Sequence, residues 1–476
     1  MICLSSIYME EIFMKASMQK KEKLDQKELA SFLKTTPEAL QRFEDSYQYY
    51  AIDQNPETGN LFDEQKKSMP SNDGFTPEQE ACINRVVNEF LSNSKLLEWD
   101  GVKLQDHRFS ITEEALITAE DLDCFSRENC PQATGIYSTF DLREDEDKIL
   151  LWFLQQSETE RNPQKRKAFY ERFRNGLDLL DLTPIMYEIL GRNRNSMENW
   201  FPQLIQGIKR HSFFQVPKTK ILTVPLPLLQ LSRIQHESLT PGTMEVLNRF
   251  CIKVFGLQET QEYFVKTGVF SSKFNFRNCH VVGAKEVREL GEYLMYIQHQ
   301  ACMLASPLIS VVHYGMNTTR TWVVREFIKD KEDNPCIYQE MPLHTEYRVF
   351  VDFDTKEILG INPYWDPDIM KQRFEGESDA DSPHNIHDSV VYRMHEDTLM
   401  RRYEDNKELV LEQVEKLIQD IPLEGQWSMD IMQNGTDFYV IDMALAAQSA
   451  LVHCVPKNRL KVVQENWIPE IEKSPT

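Results

Sequence analysis

One stretch near the C-terminal end limits the possible folds more than any other. Trp427-Ser428-Met429-Asp430-Ile431-Met432 is followed by Asn434-Gly435 and then by Phe438-Tyr439-Val440-Ile441-Asp442. Two apolar, β-prone runs around Asn-Gly predict a hairpin closed by a type I′ turn. Each strand carries one carboxylate, Asp430 or Asp442, set among apolar residues. Two buried carboxylates repel one another and need a compensating charge. A Mg²⁺ ion bound to polyphosphate supplies it, because Mg²⁺ is held by one or two protein carboxylates plus phosphate and water oxygens. The plainer reading is a pair of surface acids at strand ends.

From about Asn199 onward, strand-like and helix-like runs alternate. Strands are expected at 216–224, 262–267, 308–313, 321–328, 346–353, 357–362, 427–432 and 437–442, and helices at 240–255, 284–304 and 397–420. Tight-turn signals at Asp352–Thr355 and Asn434-Gly435 join neighbouring strands. Strands joined by tight turns predict antiparallel sheets, so the class is α+β. No G-x-G-x-x-G follows a strand and no G-x-x-x-x-G-K-[ST] occurs, which argues against a Rossmann fold and a P-loop. The acidic stretch 372–392 reads as a surface loop. Its His384 and His387 have no third ligand nearby and read as ordinary histidines.

The first ~190 residues read as mainly α-helical. Thr36-Pro37-Glu38 and Thr76-Pro77-Glu78 each give an N-cap, a proline at the first helical position and an acid in the first turn. Three regions follow: a helical hairpin with a flexible linker (1–75), a helical domain (76–195) and the α+β domain (196–476).

The formal net charge of −22 disfavours non-specific nucleic-acid binding. Nine scattered cysteines form no zinc pattern and read as reduced thiols. No apolar run reaches the length of a membrane helix, and Glu10-Glu11 interrupt the apolar start. The expected location is the cytoplasm.

Three more segments pair with the hairpin. Tyr263-Phe264-Val265-Lys266-Thr267-Gly268 ends a strand at a lysine, and Ser271-Ser272-Lys273 follows. Hydroxyls, backbone N–H groups and lysines in such a loop can hold polyphosphate. Thr321-Trp322-Val323-Val324-Arg325-Glu326-Phe327-Ile328 places an Arg-Glu pair at the end of an apolar strand. If that end meets a cleft, the backbone of Glu326–Ile328 can present a donor and an acceptor to an adenine edge. In Glu346-Tyr347-Arg348-Val349, Arg348 alternates with apolar residues and can grip phosphate bidentately. Taken singly, each has an ordinary explanation: a solvated strand end, an edge strand, an ion pair with a neighbouring acid.

In this order the four segments resemble the ATP-grasp superfamily over about residues 196–476. The nearest flavour is a divergent branch found in bacterial and phage proteins and in the eukaryotic assembly chaperone for a translation-initiation factor. Val216-Pro217-Lys218-Thr219 is similar to the turn leading into that core. The resemblance implies ATP and Mg²⁺ as cofactors. Lys266, Ser271, Ser272, Lys273 and Arg348 would lie at phosphate, Arg325, Glu326, Phe327 and Ile328 at the base, and Asp430 and Asp442 at the metal. Lys266 and Arg348 would be the catalytic pair. The chain departs from the pattern where Asp442-Met443-Ala444 lacks the usual asparagine, for which Gln448 is a candidate substitute. Lys273 stands where many members have glycine, and Lys209, Lys218 and Lys220 are all candidates for the first phosphate lysine.

The expected activity is an ATP- and Mg²⁺-dependent ligase that activates a small-molecule or peptide carboxylate as an acylphosphate for attack by an amine or other nucleophile. The first alternative is a non-catalytic ATP-binding assembly or interaction factor, recruiting a protein partner through its N-terminal helices. The second is a DNA-linked regulator using residues 24–50 as a helix-turn-helix.

Overall fold

The computed structural model describes residues 75–109, 161–162, 165, 187, 190–191, 193–232, 241–304, 319–376 and 383–461. The chain divides into two compact units: Met1–Asp53 with Glu144–Leu179 and Ile471–Thr476, and Gln54–Arg143 with Leu180–Glu470. The elements below all belong to the second. The helix-turn-helix expected at 24–50 and the strand expected at 308–313 lie outside the described residues.

Helix α1 (Pro77–Ser92) starts on its proline, where the missing N–H costs nothing. Its Ile83, Val86, Val87, Phe90 and Leu91 are buried at helical spacing. A hairpin follows, β1 (Lys95–Trp99) and β2 (Leu104–Arg108), in a stretch expected to be helical. Asp100 closes its turn by accepting the N–H groups of Val102 and Lys103 at 2.8 and 2.7 Å, and Gly101 adopts φ +96°.

The hairpin extends a six-stranded antiparallel sheet in the order β2-β1-β4-β7-β5-β6. Its other strands are β4 (Thr219–Thr223), β5 (Glu262–Thr267), β6 (His280–Val282) and β7 (Thr321–Glu326). The five-stranded sheet, in the order β11-β10-β12-β13-β3, combines β3 (Phe214–Gln215), β10 (Glu346–Asp352), β11 (Glu357–Pro363), β12 (Gln426–Asn434) and β13 (Asp437–Leu445). Every pair in it is antiparallel except β13 with β3. A small hairpin, β8 (Cys336–Ile337) and β9 (Met341–Pro342), stands apart. Mixed α and β structure with antiparallel sheets matches the expected class.

Helix α2 (Met197–Ile208) belongs to the same core as one face of each sheet. Its Trp200, Phe201, Leu204 and Ile205 join Trp99, Ile221 and Val323 of the larger sheet and Tyr347, Val349, Val351, Met429 and Ile431 of the smaller. Further helices are α3 (Leu226–Leu231), α4 (Pro241–Phe255), α5 (Gly283–Arg288) and α6 (Leu290–Leu304); the run expected as one helix over 284–304 breaks at Glu289.

The acidic stretch expected as a loop is largely helical. Helix α7 covers Pro367–Gly376, and α8 begins at Pro383 and runs to Gln419. Tyr392, Leu399, Tyr403, Val410, Val414 and Leu417 are buried on α8 at three-, four- and seven-residue steps, so packing overrides the polar composition.

The β12–β13 turn also differs from expectation. Asn434 pairs with Asp437, so the two central residues are Gly435 and Thr436, and only Gly435 has positive φ (+65°). Glycine at the first central position is the type II′ pattern rather than type I′. Asn434 is instead fully buried, donating to the Lys329 carbonyl and accepting from the Lys331 N–H, both at 2.9 Å.

Candidate functional site

The strand registers bring the four segments to one cleft. Phe264 and Lys266 lie on the same face of β5, and Arg325 of β7 stands directly opposite Phe264. On the smaller sheet, Arg348 of β10 faces Asp430 of β12, and Asp430 faces Asp442 of β13. That last pairing depends on a β-bulge. Asp430 pairs with Asp442 but Ile431 pairs with Val440, leaving Ile441 as an extra residue. Plain alternation from Phe438 and Val440, both buried in the core, would send Asp442 into the core as well. The bulge turns it onto the face of Asp430.

The two sheets touch through the charged residues. Lys266 Nζ donates to Asp442 Oδ2 at 2.8 Å, and Arg325 Nη1 donates to the carbonyl of the bulged Ile441. Arg348 grips Asp430 with two bonds, Nε to Oδ1 at 2.8 Å and Nη2 to Oδ2 at 2.7 Å. Lys273 Nζ donates to the Tyr364 hydroxyl and lies 4.3 Å from the centre of that ring, while the Arg348 guanidinium lies 4.6 Å from it.

Burial and these neighbours shift the titrations. Burial pushes Lys266 below the ordinary lysine value, with Asp442 acting against the shift. Burial pushes Asp442 up, but Lys266 and Arg325 outweigh it and hold the carboxyl below its ordinary value. Burial brings Arg325 down to about 10. For Lys273 and Arg348 burial works against the charge, and nearby partners (Tyr364 and Glu346 for the lysine, Asp430 for the arginine) raise both above their ordinary values.

Around these groups lies a cleft with about 880 Å³ of space free of protein atoms, part of it open to solvent. Lys266, Ser271, Lys273, Arg325, Glu326, Phe327, Ile328, Asp430 and Asp442 line it. Arg348 stands behind Asp430. Ser272 is buried away from the lining, where its Oγ accepts from Asn278 Nδ2 at 3.2 Å. The loop before it is an ordered turn: Thr267 N–H donates to the Phe270 carbonyl and Phe270 N–H to Thr267 Oγ1, both at 2.9 Å.

The cleft has a chemical gradient. Its lining residues run from Phe264 to Lys266 on β5, from Met432 to Asp430 on β12 and from Ile441 to Asp442 on β13. The Lys266–Asp442 and Arg325–Ile441 contacts put the apolar ends together and the charged ends together. Phe276, Phe327, Met341 and Pro342 extend the apolar end. There the N–H groups of Glu326 and Phe327 already donate, each at 2.9 Å, to the carbonyls of Lys218 and Glu262. A base edge at this segment is therefore left with groups beyond the Phe327 N–H.

The charge compensation expected from a metal is supplied by the protein. Arg348 occupies both oxygens of Asp430, while Asp442 has Lys266 on one oxygen and its neighbour's N–H, from Met443, at 3.0 Å on the other. Among the described residues no group of three or more His, Cys, Asp or Glu is arranged to hold a metal. Gln448, the candidate for the missing asparagine, accepts instead from Asn195 Nδ2. None of Lys209, Lys218 and Lys220 lines the cleft. Lys209 and Lys218 border a neighbouring groove, and Lys220 pairs with Glu98 at 3.2 Å.

The sequence reading missed Glu346 as a site residue. It lies two residues before Arg348 on the same strand face, buried, and accepts from Trp365 Nε1 at 3.2 Å. Burial raises its carboxyl to about 7, with Lys273 pulling down and Asp430 pushing up. The two-residue step from Arg348 was the available signal. Trp365, which lines the cleft, and Tyr364, which accepts from Lys273, had none, because they follow the end of β11 and lie off the strand alternation.

No protein-family model and no curated protein sequence matches the chain. Two solved structures of Cdc123 from Schizosaccharomyces pombe are similar to it. A C-terminally truncated form shows 12% identity and a TM-score of 0.32, over 57% of this chain and 94% of that one. A second Cdc123 structure shows 12% identity and a TM-score of 0.31, with the same coverage of 57% and 94%. No helix among the described residues is long and apolar enough to cross a membrane.

Proposed function

We propose that this chain binds ATP in the cleft between its two sheets and acts by holding the nucleotide, as an assembly or interaction factor. The observation that carries this reading is the gradient from an aromatic end to an end bearing Lys266 and Lys273, which suits a base at one end and a polyphosphate at the other. Lys266 and Lys273 face the phosphates, Arg325 stands opposite Phe264 towards the base, and Arg348 stays on Asp430 to fix the charged floor. Phe264, Phe276, Phe327 and Ile328 enclose the base.

Of the two acids, Asp442 is the better Mg²⁺ donor. Its side chain is 38% exposed and it is held by a single lysine, whereas Asp430 is closed off by a bidentate arginine. When phosphate draws Lys266 away, Asp442 is left with an oxygen for a Mg²⁺ ion that shares its phosphate oxygens. That ion would neutralise phosphate charge. The set of donors is short for a ligase, since Ala444 replaces the family's asparagine and Gln448 is engaged elsewhere. Holding ATP needs only the cations and the apolar end.

The decisive experiment is calorimetric titration of the full chain with ATP, with and without Mg²⁺, followed by an assay for ADP and AMP. Saturable binding without turnover supports the reading, and no binding removes it. Product formation in the presence of a carboxylate and an amine would restore the ligase. The recruiting role expected of the N-terminal helices falls for the most part outside the described residues and stands as part of the same proposal.

A further inference from the structure

A second concavity adjoins the nucleotide cleft and shares Pro217, Glu326, Phe327 and Ile328 with it. It is larger, with about 1380 Å³ of space free of protein atoms, part of it open to solvent. Its charge is unlike that of the rest of the molecule. In a chain of net charge −22, four lysines line this groove (Lys209, Lys218, Lys329 and Lys331), while Glu326 is its single acidic lining residue.

The lysines are held but not consumed. Lys218 lies 3.4 Å from Glu326, Lys329 lies 2.9 Å from Glu262, and Lys331 pairs with Asp437. Each of these three side chains is more than half exposed. An ammonium has three donors, and an exposed pair contributes little, so each can turn to a new carboxylate at small cost. Lys209 lies 5.7 Å from the centre of the Trp99 ring. Between the lysines the groove offers apolar surface at the exposed Val102 and the half-buried Tyr439, over a floor formed by the buried Trp99 and Phe214.

One wall is also the edge of a sheet. β3 ends the order β11-β10-β12-β13-β3 and among the described residues is paired on one side only, with Phe214 beside Phe438 and Gln215 beside Tyr439. The groove follows this edge through Phe214, Gln215, Val216, Pro217 and Lys218. The Val216 carbonyl already accepts from Trp99 Nε1 and the Lys218 carbonyl from the Glu326 N–H, so the open part of the edge, where an extended peptide adds by main-chain pairing, is Phe214 and Gln215.

We propose that this groove docks an extended acidic peptide of a protein partner, with carboxylates on Lys209, Lys218, Lys329 and Lys331 and intervening apolar side chains on Val102 and Tyr439. Charge complementarity selects the occupant, and the open edge selects an extended backbone. A single-stranded nucleic acid would also find lysines and rings here, but it carries a phosphate at every step into a strongly acidic molecule. The proposal does not depend on ATP.

The test uses the full chain and fluorescence anisotropy at low salt. The probes are a labelled peptide alternating Glu with Leu and Phe, its Lys-for-Glu counterpart, and an oligo-dT of equal length. The Glu peptide binds and the other two do not; the double variant Lys209→Glu/Lys331→Glu weakens the Glu peptide at least about tenfold. Hydrogen exchange of the wild-type chain with the Glu peptide is the second readout and does not depend on how the variant folds. Amides of residues 208–218 and 326–331 become protected, while those of 386–394 on α8 do not. Absence of peptide binding, an unchanged affinity in a folded double variant, or protection confined to other regions overturns the proposal. Tighter binding of oligo-dT than of the peptide overturns it in favour of nucleic acid.

Discussion

Arg348 and Asp430 face each other directly across β10 and β12, and the guanidinium holds both carboxylate oxygens at 2.8 and 2.7 Å. Both side chains are nearly buried, 12% and 9% exposed. The pair forms the charged floor of the cleft. It also answers the question raised by two carboxylates on one hairpin, because each acid has a cation of the protein's own.

Removing one member leaves a buried charge alone. Arg348→Ala is expected to destabilise the chain by about 3 kcal/mol, and adding Asp430→Leu to it restores most of the loss. Urea unfolding of the two single variants and the double variant measures this. Equal destabilisation by the double and by Arg348→Ala would contradict it.

Lys266 joins the two sheets and faces the phosphate end. Lys266→Met should weaken ATP at least about tenfold, because a buried charge-assisted contact is lost. The variant also frees Asp442, so its carboxyl titrates higher than in the wild type. Calorimetry with ATP, together with NMR titration of the Asp442 carboxyl, reads both effects. An unchanged ATP affinity would remove Lys266 from the binding site.

Glu346 makes stability depend on pH in the direction opposite to most carboxylates. Its folded pKa is raised from 4.5 to about 7, so the folded state favours the protonated form. That stabilisation is full below about pH 4.5 and is lost as pH rises through 7. Glu346→Gln keeps a neutral side chain at every pH. Its stability relative to wild type should therefore rise between pH 5 and pH 8, by up to about 3 kcal/mol. Chemical denaturation of both proteins at several pH values checks the sign, and a relative stability that falls over this window would refute it.

Gly268 is needed for space. An added Cβ would lie 2.1 Å from Thr321 Oγ1, 2.5 Å from Ser196 Oγ and 2.8 Å from Thr319 Oγ1. These three buried hydroxyls bond to one another at 2.7 to 3.0 Å. Gly268→Ala is expected to cost about 1–3 kcal/mol by overpacking. Gly435 has open space around it but a φ of +65°, so Gly435→Ala should cost about 1 kcal/mol through the backbone alone. Thermal melts rank the two, and a milder Gly268 variant would count against the packing account.

Much of the cleft was legible because its residues sit on strands with clear alternation. Lys266, Arg325, Arg348 and Asp430 each interrupt an apolar run at a defined step, and the period of two assigns each to a face. The β1–β2 hairpin left only Asp100-Gly101 as a local signal, because Leu104–Arg108 is polar and not β-prone, and it was hidden within a region that reads as helical. Helix α8 was misread at its start because 383–392 is polar, and the decisive packing of Tyr392 is tertiary.

The sequence by itself determined strands β4, β5, β7 and β10 to β13, the hairpin between Asp430 and Asp442, and which strands carry cations. These follow from local alternation and turn chemistry. Only the tertiary structure decided what those charges do. The bulge at Ile441 turns Asp442 out of the core, and strand registers give Asp430 to Arg348 and Asp442 to Lys266. An extra residue in one strand is visible only against its partner, and a cation's choice of acid depends on which sheets meet. Neither is a property of a single strand's pattern.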